Sequence, residues 1–222
     1  MSSFFNLTLD TLPPQNVTLS INGGAAYTNL LDVTLAIGTT DTPTTGYQMK
    51  IWGNVTAAAT EAAAAWETFA PSKSVTLTTG DGMKTINVRL RDSVWNESAI
   101  ASAQITLDTA APVVTVTGPD VSVVSNVEGK NEAVISFTVD EIFTEYTVRV
   151  VPDSNALHTA GTQIPTTNGS VNMSGNNPSG FPANTAIECL VNGADLATAA
   201  GADGTHIIKV FAKDRSGTWS DV

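Results

Sequence analysis

One strand with its two flanking turns occurs twice in the sequence, and this repeat constrains the fold more than any other feature. Asp81-Gly82 is followed eleven residues later by Asp92, and Asp203-Gly204 is followed eleven residues later by Asp214. Between these points lie INVRLR and IIKVFAK, in which apolar residues alternate. A period of two indicates a strand with one buried face, and Asp-Gly is typical of tight turns. The repeat therefore predicts two similar β units.

The rest of the chain follows the same pattern of short strands and turns. Alternation is clear in VTLSI (17–21) and VTLAI (33–37), and turn residues recur about every ten residues, as in β-sandwiches. The predicted strands are 15–22, 30–38, 46–52, 73–78, 83–92 and 99–107 in the first half, and 112–118, 131–139, 144–152, 184–191 and 204–214 in the second. The composition predicts an all-β fold.

Three segments depart from the strand pattern. AAATEAAAAW (57–66) is alanine-rich and predicts one or two helical turns. NGADLATAAG (192–201) predicts a short helix, with Asn192 or Asp195 near its start and Gly201 at its end. The segment 153–183 is rich in Asn, Gly, Pro and Ser and predicts an extended loop.

Charge and cysteine content exclude several classes of protein. The formal net charge is −11, and only 14% of residues are charged, so a nucleic-acid partner is not expected. The single cysteine, Cys189, allows no intrachain disulfide. No stretch is apolar enough for a membrane span, and MSSFFNLTLD lacks the basic and apolar regions of a signal peptide. We therefore expect a chain that is made and folded in the cytoplasm, without a membrane partner.

The sequence resembles a known family over about residues 15–112. INGGAAYTN followed by VTL, then WETFAPSKSVTLTTGDGMKTINVRLRDSVWNES and ITLDTAAP, is similar to a bacterial immunoglobulin-like repeat of the Big type. Such repeats occur in tandem in bacterial surface proteins, polysaccharide-degrading enzymes and tailed-phage virion proteins. The second half, through VRVVPDSNALHTAGTQI and GTHIIKVFAKDRSGTWS, is similar to phage structural proteins. The resemblance implies two tandem immunoglobulin-like β-sandwich domains with short helical inserts.

A search for catalytic residues finds no constellation, and we do not expect an enzyme. His158 and His206, the only two histidines, lack zinc-site spacing, and no nucleophile-elbow, Walker or dinucleotide motif occurs. The carboxylates Asp140, Glu141 and Glu145 are interpreted as residues of a solvated turn rather than a hydrolytic pair. Cys189 lies in IECLV and is interpreted as a buried apolar residue.

Calcium is the one cofactor for which the sequence offers candidate ligands. Hard cations between tandem β domains bind Asp and Asn oxygens, and Asp10 and Asp108 lie at the predicted domain seams. Asp92 and Asn96 could join Asp108 if the turn between them folds back. The candidates are sparse, and Asp and Asn also form ordinary turns.

Three tryptophans are candidate platforms for stacking sugars: Trp66, Trp95 and Trp219. Trp95 and Trp219 each follow the repeated strand, and we interpret their positions as equivalent, with two extra loop residues in the second copy. That recurrence favours packing over the end of each sandwich.

A short phrase at the N-terminus defines the predicted domain organisation. TLDT occurs at 8–11 and again at 106–109, where it ends a strand before Pro112. We therefore predict an N-terminal extension strand (1–11), domain 1 (12–110) and domain 2 (111–222), the last without a final strand. FFNLTLDT (4–11) resembles such a strand, and we predict that Phe4, Phe5, Leu7 and Leu9 form an interface with domain 2 of another copy.

Three functions stay open at this point. The first is a structural protein of a tailed-bacteriophage virion, in the capsid decoration, neck, tail or a fibre, with other copies of itself and other virion proteins as partners. The second is an adhesion module that binds carbohydrate or a cell surface, such as host glycans. The third is an accessory part of a secreted enzyme. The lack of a signal peptide favours the first, since phage particles assemble in the cytoplasm.

Overall fold

The computed structural model describes residues 5–221. The chain divides between Thr109 and Ala110 into two compact units, which we call unit 1 and unit 2. Each unit consists of strands arranged in two sheets around one main apolar core, with a smaller apolar cluster beside it. The predicted all-β, immunoglobulin-like fold class is therefore confirmed.

Unit 1 contains eight strands in two sheets. They are β1 (Thr18–Ile21), β2 (Tyr27–Thr28), β3 (Asp32–Gly38), β4 (Gln48–Gly53), β5 (Glu67–Thr68), β6 (Ser72–Thr76), β7 (Gly82–Arg91) and β8 (Ala101–Leu107). One sheet has the order β1-β3-β6, and the other has the order β2-β8-β7-β4-β5. β7 lies between β4 and β8 and pairs antiparallel with both, so each of its edges has a strand neighbour.

The core of unit 1 follows from the alternation in its strands. Every second residue of β3 and of β7 is buried, as the period-two pattern predicts. Leu35 of β3 and Ile86 of β7 belong to the same apolar cluster. Ile105 and Leu107 of β8 are buried in it as well. The last strand is therefore part of the core and not only of the sheet.

Unit 2 contains seven strands and one helix. They are β9 (Val114–Thr117), β10 (Glu132–Val139), β11 (Phe143–Val151), β12 (Thr162–Gln163), β13 (Ser174–Phe181), β14 (Ile187–Asn192), α1 (Gly193–Ala200) and β15 (Ile207–Asp214). One sheet has the order β14-β10-β9. In the other, β11 pairs with β15 along one edge and with β12 and β13 along the opposite edge.

Aromatic packing distinguishes the core of unit 2. Phe143 stacks on Phe181 with a centroid distance of 4.9 Å, and Phe137 lies 5.1 Å from Tyr146. These rings join Cys189 and other buried residues from both sheets in one cluster. Pairs of this kind contribute more than their buried area alone.

The predicted helical segments are present in shortened form. In 57–66 a single 3-10 turn spans Glu61–Ala63, and the side chain of Thr60 accepts a hydrogen bond from the Ala63 N–H. In 192–201, α1 begins after Asn192, whose side chain accepts the Ala194 N–H at 2.9 Å. Gly201 ends the helix in the left-handed region, at φ 77°.

The prediction of an extended loop over 153–183 is wrong. This segment contains β12 and β13, and it buries Ile164 and Met173 in the unit 2 core. The sequence of β13, SGNNPSGF, has no apolar alternation and carries a proline. Proline fits an edge strand, where one side of the backbone has no ladder to join.

Candidate functional site

The two units differ most clearly at the strand that follows the repeated Asp-Gly. β15 takes the place in unit 2 that β7 takes in unit 1, because each follows the repeated Asp-Gly and pairs antiparallel along one edge with an earlier strand, β11 for β15 and β4 for β7. β7 also pairs with β8, whereas β15 has no strand on its second edge within residues 5–221. A sheet edge of this kind can accept a further strand.

An apolar groove runs between this edge and β9. One part has a volume of about 500 Å³, and an adjoining part of about 380 Å³ shares Val116, Ile208 and Val210 with it. We call this the β9–β15 groove, and its main apolar residues are Val114, Val116, Val121, Ile135, Ile208 and Val210. Val116 is 46% exposed. Ile208 is only partly buried, while its counterpart in unit 1, Ile86, is fully buried.

In unit 1 the corresponding space is filled by β8. Ile105 and Leu107 point into the core and are almost fully buried. Ala103 lies on the same face of β8 and is partly buried. Burying two such aliphatic side chains stabilises a domain by about 3–6 kcal/mol in total. The groove in unit 2 is thus the space that an inward-facing strand occupies in unit 1.

The N-terminal residues singled out by the sequence are exposed in the single chain. Phe5, Leu7 and Leu9 are 85–88% exposed, and no strand is formed from residue 5 to residue 11. Phe4 lies outside the described residues. The backbone carbonyl of Asp10 accepts a hydrogen bond from the side chain of Asn96 at 3.3 Å. The predicted interface with another copy stays a prediction, and the alternation of its side chains is that of β8.

Three of the four calcium candidates lie close together, and the fourth does not. Asn96 donates to the Asp92 carboxylate at 2.8 Å and to the Asp10 carbonyl. Asp108 lies beyond the opposite end of β8, since Leu107 pairs with Gly82 while β8 begins opposite Val88. The turn therefore does not bring Asp92 and Asp108 together.

The carboxylate of Asp92 is engaged in holding its own loop. It accepts the backbone N–H groups of Val94 and Asn96, both at 2.9 Å. Burial raises the pKa of Asp92, but hydrogen bonds from Asn96, Val94 and Trp95 outweigh burial and hold the pKa below its ordinary value. These hydrogen-bond donors hold the turn around the Asp92 carboxylate. Calcium binding at these residues stays an untested prediction.

The loop after β7 recurs after β15 with the same length. Asp92 N–H donates to the Asn96 carbonyl at 3.2 Å, and Asp214 N–H donates to the Thr218 carbonyl at 3.0 Å. Two residues further on, Ser98 and Ser220 bond in the same way to the strand that precedes them. All of these pairs are 122 residues apart.

This register corrects the alignment of the tryptophans. At 122 residues apart, Trp95 corresponds to Gly217 and Trp219 corresponds to Glu97. Both bridges agree, since Arg91 pairs with Glu97 and Lys213 pairs with Trp219. Trp95 and Gly217 share a left-handed backbone, at φ 74° and φ 97°. The expected two extra loop residues in the second copy are absent.

The tryptophans of unit 1 form a surface stack with arginine. The Arg91 guanidinium lies 4.4 Å from the Trp66 ring and 4.9 Å from the Trp95 ring. The Lys50 ammonium lies 4.7 Å from the centroid of the Trp66 ring. Trp95 is 70% exposed. We call Trp66, Arg91 and Trp95 the Trp–Arg–Trp stack.

The remaining candidate chemical groups have structural partners. The His158 ring contacts the carboxylate of Asp221 at 2.5 Å and stacks on Trp219 at 4.4 Å. Asp140 accepts the Val113 N–H at 2.8 Å. Burial raises the pKa of the Cys189 thiol to about 11, which is the opposite of an activated nucleophile.

Asp195 of α1 collects several hydrogen bonds in unit 2, although no sequence motif pointed to this role. Its carboxylate is fully buried and accepts hydrogen bonds from Thr167, Asn168 and Ser170. Burial alone would raise the pKa of Asp195, but these hydrogen bonds outweigh it and lower the pKa to about 2. The only sequence signal was an acidic residue in the first turn of a short helix.

The groove residues were also missed. A comparison of the two halves at a spacing of 122 residues would have found them, because it aligns Ile208 with the buried Ile86.

None of the helices within residues 5–221 is long and apolar enough to cross a membrane.

Comparison with known proteins gives structural likeness alone. The sequence matches no protein-family model and no curated protein. Among solved structures, fibronectin(III)-like modules of CbhA from Clostridium thermocellum are similar, with 15% identity, a TM-score of 0.45, and coverage of 91% of this chain and 88% of that chain. Chitinase ChiA74 from Bacillus thuringiensis is similar with 12% identity and a TM-score of 0.31, over 92% of this chain and 30% of that chain. At these values neither likeness bears on function.

Proposed function

We propose that this chain is a structural protein of a tailed-bacteriophage virion and acts through protein–protein assembly. The observation that supports the proposal best is the open edge of β15 beside the apolar β9–β15 groove. A large apolar groove next to an available sheet edge is typical of a surface that binds protein. The resemblance of the second half to phage structural proteins, described above, adds the phage context.

Mass spectrometry of purified virions tests this proposal. Peptides of the chain should be found at a constant ratio to the major capsid protein after density-gradient purification and high-salt washing. The control is the lysate fraction free of particles. A chain found only in that free fraction would contradict the proposal.

A second candidate function is adhesion to carbohydrate, which the Trp–Arg–Trp stack favours. Exposed aromatic rings stack on sugar faces, and Trp95 presents most of its surface to solvent. Arg91 already covers one face of each ring, so the outer face of Trp95 is the one available.

A glycan array with matched variants tests adhesion. Trp95→Ala should abolish any specific signal, whereas Trp219→Ala, in unit 2 and stacked on His158, should leave it unchanged. Signals that survive Trp95→Ala, or their absence in the unmodified protein, would exclude this function for the stack.

A further inference from the structure

We propose that the N-terminal segment of one copy, residues 5–11, binds the β9–β15 groove of a second copy as an added antiparallel strand. The inference deepens the proposed assembly function, on which it rests, by naming the partner and the register. Four observations support it, and each concerns a feature of β8 that the segment reproduces.

The first observation is the pattern of side chains. Residues 7–11 read LTLDT and residues 105–109 read ITLDT, 98 residues apart. Ile105 and Leu107 are buried in unit 1, whereas their counterparts Leu7 and Leu9 are 88% and 85% exposed. The segment therefore has the apolar face of β8, and that face is exposed to solvent in the single chain.

The second observation is the register that the two internal repeats define together. β8 pairs with β7 so that Ile105 lies opposite Lys84 and Leu107 lies opposite Gly82. Moving β7 by 122 residues and β8 by 98 places Leu7 opposite His206 and Leu9 opposite Gly204. Phe5 and Asn6 thereby come opposite the first residues of β15, and residues 7–9 come opposite residues 204–206, which precede β15 and line the second part of the groove.

The third observation is that this register directs the right side chains into the groove. Phe5 takes the position of Ala103, an inward-facing residue of β8, and comes opposite Ile208. Ile208 and the exposed Val116 line the groove at this point. A phenyl ring is larger than the alanine it replaces, and the open groove provides the additional volume.

The fourth observation concerns a hydrogen bond at the end of the strand. In unit 1 the Thr109 hydroxyl donates to Asp81 at 2.9 Å. The same two shifts place Thr11 beside Asp203. The donor and the acceptor of this terminal contact are thus both present in the proposed pairing.

The position of the segment on unit 1 indicates a second copy as the acceptor. Asp10 is held at Asn96, at the end of unit 1 where β8 begins, whereas the chain enters unit 2 after Thr109, where β8 has ended. Fully extended, residues 5–10 span about 20 Å, less than the length of β8, about 23 Å. The contact is head-to-tail, so repeated addition gives a ring or a filament.

Disulfide trapping between two different chains tests the register and the partner. One chain carries Thr8→Cys and the other carries Thr205→Cys, at exposed positions that the register places opposite each other. Mixing them under mild oxidation should give a covalent dimer on a non-reducing gel. The control replaces Thr205→Cys with Lys209→Cys, about 13 Å further along the strand, beyond the reach of a disulfide, and should give none.

Two results of this experiment would overturn the proposal. The first is the absence of a dimer, or equal dimer yields for Thr205→Cys and Lys209→Cys. The second is an internal disulfide without dimers in a chain that carries both Thr8→Cys and Thr205→Cys, because the segment would then bind its own unit 2.

A charge variant tests the apolar face without introducing a covalent bond. Leu7→Asp with Leu9→Asp should weaken self-association by about 100-fold or more, measured by light scattering after size exclusion. The matched control, Asn6→Asp with Thr8→Asp, adds the same charge to the opposite face and should retain assembly. A monomeric unmodified chain, or equal effects of the two variants, would overturn the proposal.

These tests use the purified chain alone and therefore separate the two proposals. Self-association through the segment can fail while the chain is still found in virions, and in that case only the strand exchange is wrong. It can also succeed for a chain that never enters a virion, and then only the proposed function is wrong.

Discussion

Units 1 and 2 are both built from two sheets and share the loop after the repeated strand, yet they differ at the second edge of that strand. In unit 1, β8 pairs with β7 and contributes Ile105 and Leu107 to the core. In unit 2, the corresponding edge of β15 has no strand neighbour among residues 5–221. The aromatic core of unit 2 therefore forms although this edge is open. The open edge leaves apolar side chains of the groove, such as Val116 and Ile208, partly exposed to solvent.

The two loops also show which residue determines their shape. Trp95 and Gly217 occupy the same left-handed position, although an ordinary side chain is disfavoured there by about 1 kcal/mol. What the loops share is the preceding aspartate, which accepts several backbone N–H groups in each unit. The aspartate, and not a glycine, therefore defines the turn.

The largest expected difference between the units concerns matched leucines. Leu107→Ala removes a buried side chain from unit 1 and should lower its free energy of unfolding by about 2–5 kcal/mol. Leu9→Ala, at the corresponding position of the N-terminal segment, should change the stability of the diluted chain by less than about 0.5 kcal/mol. Urea unfolding followed by tryptophan fluorescence measures both, and equal effects would show that the segment is already buried.

A smaller effect is expected from acid, and it should act on unit 2 through Asp195. The pKa of Asp195 in the folded state is about 2, below the ordinary value of 3.8. The carboxylate therefore stabilises unit 2 above about pH 4, by about 2 kcal/mol, and this stabilisation is lost as the pH falls through about 2.

Asp195→Asn is the variant that isolates this contribution. It should destabilise unit 2 at pH 7 and remove most of the difference in stability between pH 5 and pH 2, as measured by urea unfolding at each pH. Unit 1 provides the control, since Asp92 has the same sign of pKa shift and is unchanged in this variant. A pH dependence that survives Asp195→Asn would contradict the assignment.

The smallest effect is expected at the left-handed loop position. Gly217→Ala should cost unit 2 about 1 kcal/mol, from the backbone alone, since nothing lies within 4 Å of the added Cβ. Trp95→Gly should be nearly neutral, because the backbone gain offsets the lost cation–π contact with Arg91, about 0.5–1 kcal/mol. Calorimetry of both variants tests this; a large loss at Trp95→Gly would mean that the Trp–Arg–Trp stack stabilises unit 1.

The sequence predicted those elements whose side chains alternate strongly. β3 and β7 were identified because their buried residues recur every second position. β15 was identified because its flanking turns repeat those of β7, although three consecutive residues in it, Val210 to Ala212, are buried. β13 was missed because its sequence, SGNNPSGF, has no alternation of apolar residues. This strand lies at an edge of its sheet, where it pairs only with β11. Alternation reports burial, and a strand held mainly by backbone pairing leaves no such pattern.

Only one of the two surfaces of the candidate site, the N-terminal segment, could be predicted from the sequence. The apolar face of the N-terminal segment is visible in FNLTL, but the groove is made of residues from β9, β10 and β15 that are far apart in the chain. Asp195 illustrates the same limit, since its partners Thr167, Asn168 and Ser170 come from a segment without a recognisable motif. Such contacts depend on tertiary packing and not on local pattern.

The buried thiol of Cys189 gives the chain a built-in probe of unit 2. It is the only cysteine in the sequence, its sulfur lies 3.2 Å from the Asn172 carbonyl, and its pKa of about 11 keeps it protonated at neutral pH. Alkylation at this position requires the sheets of unit 2 to separate, so its rate measures the opening equilibrium of that unit alone. Alkylation of the unmodified protein therefore reports local opening of unit 2 without a contribution from unit 1, which contains no cysteine.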